Sequence, residues 1–178
     1  MKETVAWESQ GKNEAGVPFF SVMENDGYYF GRRGGTDSVA FILFDREHQA
    51  AAVINERKPP LDGRFGEDAF LQTAFGGSID KSHSIEQIVI EEVKEEAGFT
   101  VTSKDVHHLG RVLVSTQMDQ FCELFIVFVD IGNDGDKEPQ NEMEAMATVD
   151  WMDYGEIFDL EDWKATTILT KASRKGLI

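Results

Sequence analysis

The stretch from Gly76 to Phe99, GGSIDKSHSIEQIVIEEVKEEAGF, constrains this chain more than any other. It reads as a glycine turn, a short polar loop and a helix. Ser84 is a favourable N-cap, and Gln87 follows three residues later, as a capping box requires. Gly98 is the residue type that most readily closes a helix in the left-handed region. Between them Ile85, Ile88, Val89 and Val93 recur at helical spacing and mark a face that must pack inward. Glu92, Glu95 and Glu96 are three and four apart, so their carboxylates share another part of the helix surface, and Glu91 adds to the density. Like charges at such spacing cost about 0.2–0.5 kcal/mol per pair on an exposed helix. Two readings account for acids placed this way. They are a solvated acidic face, or they surround a site where a divalent cation converts repulsion into attraction. An all-oxygen donor set suits Mg²⁺ or Mn²⁺ better than zinc.

The wider spacing resembles the Nudix box, G-x5-E-x7-R-E-U-x-E-E-x-G-U, where U is aliphatic or aromatic. Gly77 opens it, and Glu92, Val93, Glu95, Glu96, Gly98 and Phe99 fall in register. His83 stands where the family has Glu, and Glu91 stands where it has Arg. In the family these two positions form a salt bridge that braces the loop against the helix. Here base and acid are exchanged, so we expect a bracing pair of reversed polarity; the alternative is that His83 is an exposed loop residue. Histidine is cationic only below a pKa of about 6.5 unless a partner raises it. Such a brace is expected to be weaker, or more pH-dependent, than Arg with Glu.

The chain has 178 residues, 41% of them hydrophobic, with 13 Phe and three Trp. That is enough for a single domain spanning 1–178 with a substantial core. Residues 1–35 read as an N-terminal arm with short strands, and 36–178 as the catalytic core. A formal charge of −16 argues against DNA or RNA as a partner, whose phosphates it repels. A small anionic substrate meets the same field and needs metal ions and a few placed arginines. The single cysteine, Cys122, excludes an intrachain disulfide and a cysteine-rich zinc site, and its apolar surroundings predict a buried thiol. MKETVAWESQ lacks the apolar core of a signal peptide, and no stretch reaches the roughly 18 apolar residues of a membrane span. A soluble, cytoplasmic protein is expected.

Along the chain, 17–23 and 27–31 read as two short strands around Asn25–Asp26–Gly27. The basic turn Arg32–Arg33–Gly34–Gly35 is a candidate phosphate contact or a solvated turn. A hairpin is expected from strands 38–44 and 50–54, followed by a loop over 61–68 and an extended segment over 69–75. Strands are expected over 107–115, 122–131 and 148–152, with a loop over 133–141. A last helix over 161–175 packs through Trp163, Ile168 and Leu169. His107 and His108 are adjacent, so in a strand they point to opposite faces and make a poor metal pair. The order predicts an α/β fold, an α/β/α sandwich with a mixed sheet, which is also what the Nudix resemblance implies.

The resemblance further implies a divalent-metal-dependent hydrolase of nucleoside diphosphate derivatives. By position, Glu92 and Glu96 become the main metal ligands, Glu95 a further or water-mediated one, and the Gly76 carbonyl completes the set. The flanks resemble ADP-ribose pyrophosphatases: Asn55–Glu56–Arg57–Lys58–Pro59 looks like the strand end that carries a substrate arginine, and 71–80 like their approach to the box. Their Ser-Pro pair past the box is here Ser115–Thr116. Arg57 is then a substrate contact, with Arg32 and Arg33 beside it, and ADP-ribose is cut to AMP and ribose 5-phosphate. A homodimer is also implied. A general base is sought in QNEMEAMATVDW, with Glu142 preferred over Glu144, and Glu123 in the apolar strand as a third candidate because an acid there needs a partner. The competing functions are a Nudix-fold module that binds a nucleotide without cutting it, and an acidic cation-binding domain.

Overall fold

The computed structural model describes residues 3–13, 15–34, 36–66, 69–79 and 82–178. Gly35 of the basic turn, Asp68 at the end of the expected 61–68 loop and Asp80 of the approach to the helix lie outside the described residues. In chain order the strands and helices are β1 (Thr4–Glu8), β2 (Ser21–Asn25), β3 (Tyr28–Arg32), β4 (Ser38–Asp45), β5 (Ala50–Arg57), α1 (Asp62–Phe65), β6 (Phe70–Thr73), β7 (Phe75–Ser78), α2 (Ile85–Ala97), β8 (Val106–Leu113), β9 (Phe121–Phe128), α3 (Glu142–Met146), β10 (Thr148–Asp153) and α4 (Trp163–Arg174).

The uninterrupted apolar run of β4 is explained by burial on both faces. Val39, Phe41 and Leu43 join the core beneath α2, while Ala40, Ile42 and Phe44 join the core beneath α4. β4 pairs in parallel with β9 and antiparallel with β5 and β7. The larger sheet therefore mixes both senses, in the order β10-β5-β4-β9-β8, with β6 on β5 and β7 on β4. α2 buries Ile88, Val89, Val93 and Ala97 on one face of this sheet, and α4 buries Ala165, Ile168, Leu169 and Ala172 on the other. This is the expected α/β/α sandwich with a mixed sheet. Cys122 is buried in the α4-side core. Among the described residues no helix is long and apolar enough to cross a membrane.

Three sequence expectations change. Residues 4–8, expected in a polar arm, form β1 and pair with β2 in a separate three-stranded sheet. The turn between β2 and β3 places Asp26 and Gly27 at positive φ, 52° and 81°, the conformation a two-residue hairpin favours. This small sheet is tied to the core by the Gly31 N–H, which donates to the Gln117 carbonyl at 2.7 Å, and by the Tyr28 hydroxyl, which donates to that of Thr116 at 2.9 Å. Trp163, expected to pack, is 43% exposed. It lies two residues before Ala165, about 200° around a helix whose inward face is set by Ala165, Ile168, Leu169 and Ala172. The loop expected over 61–68 contains the single helical turn α1.

α2 begins and ends as its sequence requires. The Ser84 hydroxyl accepts the Gln87 N–H at 3.2 Å, and Gly98 closes the helix at φ 80°. A Cβ at Gly98 would stand 2.2 Å from the Gly135 carbonyl oxygen, so the glycine also lets the 133–141 segment approach. His83 Nδ1 lies 2.9 Å from Glu91 Oε1, and the Gln87 side-chain amide donates to the same oxygen at 3.2 Å. The loop and helix are thus joined by a base and an acid in reversed order. Exchanging them, His83→Glu with Glu91→Arg, is expected to match or exceed native thermal stability, while His83→Glu alone lowers the melting temperature by a few degrees, about 1 kcal/mol. Melting curves of the two single variants and the double variant decide this; purely additive effects would remove the pairing.

Candidate active site

β7 and α2 build the site between them. β7 lies antiparallel on β4, with Gly76 opposite Ala40 and Gly77 opposite Val39. α2 lies alongside with its acidic last turns toward the strand. A Cβ at Gly77 would fall 2.2 Å from Glu92 Oε1, so only glycine lets this carboxylate lie against the strand backbone. Glu92, Glu95, Glu96 and Glu144 border a cleft of about 240 Å³ with Gly76, Gly77, Ser78 and Gln140.

Glu96 is the unusual member. It is 9% exposed, and its Oε2 has no hydrogen-bond partner. Burial first, and then the negative charges of Glu92, Glu56 and Glu144, push its pKa up to about 9, against a backbone N–H donated by Gly76. Near neutral pH this carboxyl therefore holds a proton unless a cation displaces it. Lys137 approaches from the 133–141 segment and donates to the Ala147 carbonyl at 2.8 Å. Burial pushes its ammonium pKa down and Glu96 pushes it back up.

Could these residues hold a divalent cation? The donors are all oxygen, which suits a hard cation, and a buried carboxylate oxygen without a hydrogen-bond partner gains from one. Glu92, Glu95, Glu96 and the Gly76 carbonyl meet the first condition, and Glu96 meets both. The acids flank the cleft without closing into a cage: among the described residues no three His, Cys, Asp or Glu side chains are already gathered closely enough to enclose an ion. An open arrangement suits Mg²⁺, which retains waters and takes one or two carboxylates together with substrate phosphates.

A second cleft, of about 230 Å³, adjoins the first and shares Gly76, Gly77, Ser78 and Glu96 with it. Its other walls include Arg33, Glu56, Lys58 and Lys164. Arg33 Nη2 donates to Ser78 Oγ at 3.4 Å, and Lys58 pairs with Glu56. Lys164 stands in the first turn of α4. Asp162 caps that helix by accepting the Lys164 N–H at 3.2 Å, and its other oxygen accepts the Ala74 N–H at 2.7 Å. A larger cleft of about 340 Å³ lies around Arg46, Phe99 and Phe128, but it lacks a comparable convergence of acids.

The residues singled out in the sequence are thus divided. Gly76, Glu92, Glu95, Glu96 and Glu144 come together in the acidic cleft, and Arg33 borders the adjoining one. Glu144 is held by the Gln140 N–H at 2.7 Å and by the Asn141 side-chain amide. Glu142 is exposed on the one-turn α3 and borders neither cleft. Arg32 pairs with Glu3 at 3.1 Å and Asp119 at 2.6 Å, and Arg57 pairs with Asp62; both lie outside the two clefts. Glu123 meets His108 at 2.6 Å on the β8 side of the sheet. Lys58, Glu56, Lys137 and Lys164 were not singled out. The first two carried a signal. Ala52 and Ile54 face α2, so alternation along β5 sends Glu56 and Lys58, rather than Arg57, to the same side.

A family model described as the NUDIX domain matches residues 35–171. The chain belongs to the NUDIX family. It is therefore a Nudix hydrolase, of a family that acts on nucleoside diphosphate derivatives and generally uses divalent metal ions. Two solved structures share its fold. One carries the description "ADP compounds hydrolase": 12% of residues are identical, the match covers 99% of this chain and 96% of that one, and the TM-score is 0.62. The other comes from a study of MutT from the fish pathogen Aliivibrio salmonicida and the mesophile Vibrio cholerae, at 16% identity, covering 80% of this chain and 98% of that one, with a TM-score of 0.55. No match was found among curated proteins.

The state of Glu96 in this Nudix site has a measurable consequence. Its folded-state pKa of about 9 stands above the ordinary 4.5, so the folded chain retains a proton that the unfolded chain releases. Its contribution to stability is full below about pH 4.5 and declines as pH rises toward 9. In cation-free buffer Glu96→Gln is expected to melt above the native chain at pH 8 and near it at pH 5, and added Mg²⁺ should stabilise only the native chain. Melting curves with chelator and with Mg²⁺ test this; a pH-independent difference would contradict it.

Proposed function

We propose that this chain hydrolyses the diphosphate linkage of a nucleoside diphosphate derivative with Mg²⁺ or Mn²⁺, and that ADP-ribose, cut to AMP and ribose 5-phosphate, is its substrate. The observation that carries this reading is the buried, unpartnered oxygen of Glu96, flanked by Glu92, Glu95 and Glu144 on one side and by cationic side chains on the other. An acidic cation-binding domain without a nucleotide role has no need of the second half. The ADP-ribose assignment is supported by the NERKP and AFGGSID flanks and by the likeness to a fold called an ADP compounds hydrolase.

When bound, a divalent cation at Glu92, Glu95, Glu96 and Gly76 supplies charge neutralisation at the phosphoryl oxygens. The chain's own groups do the rest. Water adds to one phosphorus, the P–O bond to the bridging oxygen breaks, and the departing phosphate monoester keeps that electron pair. In this reading Glu144 takes the water's proton, which its position on the cleft wall and its contacts with Gln140 and Asn141 support. Glu142 needs α3 to turn before it can serve. Arg33 borders the phosphate side, whereas Arg32 and Arg57 reach substrate only by leaving Asp119 and Asp62.

The reading includes a homodimer in the cytoplasm. Trp7 and Tyr29 lie on one face of the small sheet and are each more than half exposed, an apolar surface that a second copy can cover. The one thiol, Cys122, is free and buried, as suits a reducing compartment. Sedimentation should give twice the mass of one chain, and Trp7→Asp should halve it; a native monomer at micromolar concentration rejects the dimer.

A panel of ADP-ribose, NADH, diadenosine polyphosphates, nucleotide sugars and nucleoside triphosphates, each with and without Mg²⁺, tests the activity. Metal-dependent release of AMP from ADP-ribose is expected, with Glu96→Gln at least about a hundredfold slower. Turnover of another member replaces the substrate. Binding of these nucleotides without any turnover points to the binding module, and His83 and Glu91 are then the positions to restore.

A further inference from the structure

The chain carries 33 acids to 17 lysines and arginines, yet Arg33, Lys58 and Lys164 converge on one small cleft. They come from remote segments: the turn after β3, the end of β5 and the first turn of α4. Bringing three cations together is unfavourable by itself, and Glu56 offsets only part of it through Lys58. The position of Lys164 is built rather than incidental. Asp162, 6% exposed, fixes the start of α4 through the Lys164 N–H and anchors it to Ala74, two residues before Gly76.

The two clefts are halves of one groove, divided by Glu96 and the glycines of β7. One half presents carboxylates and the other ammonium and guanidinium groups. A single phosphoryl group can face only one half, whereas a diphosphate can turn one phosphoryl group toward the carboxylates and its neighbour toward the lysines. Lysine serves such a group as a compact point charge, and arginine as a planar fork.

We propose that Arg33, Lys58 and Lys164 form the subsite for the second phosphoryl group of the substrate, and that Lys164 is the residue through which the groove prefers diphosphates to monophosphates. This rests on the diphosphate-hydrolase reading above. Binding of α,β-methylene-ADP, which cannot be cut at its methylene bridge, is measured by calorimetry in Mg²⁺ beside AMP, so the test does not depend on turnover. Lys164→Gln is expected to weaken α,β-methylene-ADP about tenfold, the loss of one charge-assisted hydrogen bond, and to change AMP much less. Lys164→Arg should recover most of the affinity, because charge rather than packing is involved. For the substrate found in the panel, KM should rise more than kcat falls. Arg33→Gln is a second, independent probe. Native-like affinity in both Lys164→Gln and Arg33→Gln overturns the subsite even if the native chain hydrolyses the panel. A native chain that binds neither probe overturns it too. If the native chain cuts nothing but binds α,β-methylene-ADP in a Lys164-dependent way, the hydrolase reading fails and the subsite stands.

Discussion

A carboxylate that is nine-tenths buried, with one oxygen unpartnered and acids on several sides, stays in place only because its surroundings cannot yield. Glu96 is held this way. Val93 and Ala97, its neighbours on α2, are locked in the core beneath that helix, so the helix cannot rotate the acid outward without losing apolar burial. β7 cannot retreat, because it is hydrogen-bonded to the central strand β4. The glycines of β7 bring backbone rather than side chains up to the acids, and at Gly77 even a methyl group would collide with Glu92. The cost of the buried acid is met by packing remote from the site, and what remains locally is a carboxyl whose pKa burial and neighbouring acids raise.

The same sheet end collects the groups of opposite sign. β5 sends Glu56 and Lys58 beyond the apolar part of its α2-facing side, and α4 contributes Lys164 from the opposite layer through the Asp162 contact with Ala74. Acidic and cationic halves therefore meet where both helical layers reach the edge of the central strands. A net charge of −16 makes this local separation matter. A diphosphate approaching a uniformly acidic surface is repelled, whereas the cleft lined by Arg33, Lys58 and Lys164 offsets that repulsion locally.

How legible was this beforehand? The helix, its caps, its inward face and the mixed sandwich followed from period, capping and the apolar runs, because those signals are local. Glu92, Glu95 and Glu96 were legible as an acidic cluster for the same reason, whereas the reversed brace of His83 with Glu91 was expected from the resemblance to the Nudix box, whose two bracing positions they occupy. β1 was not, because all its residues are exposed and so show no inward face, and its partner strand is distant in the chain. Arg57 was singled out by the resemblance of its strand end to that of ADP-ribose pyrophosphatases, while the parity of β5 sends its neighbours Glu56 and Lys58 toward α2. Lys164 had no local signal at all, since only the tertiary contact between Asp162 and Ala74 brings it to the groove.

Alternation also separates the two candidate bases. Glu142 and Glu144 lie two apart on a single helical turn capped by Asn141, whose side chain accepts the N–H groups of Met143 and Glu144. Two residues on a helix are about 200° apart, so one acid facing the cleft commits the other to face away. Gln140 and Asn141 both hold the Glu144 carboxylate, which supports Glu144 over Glu142 in the proposed role of base. In an extended loop the same spacing would have put both acids on one side. The short helix, which composition did not announce, is what distinguishes them.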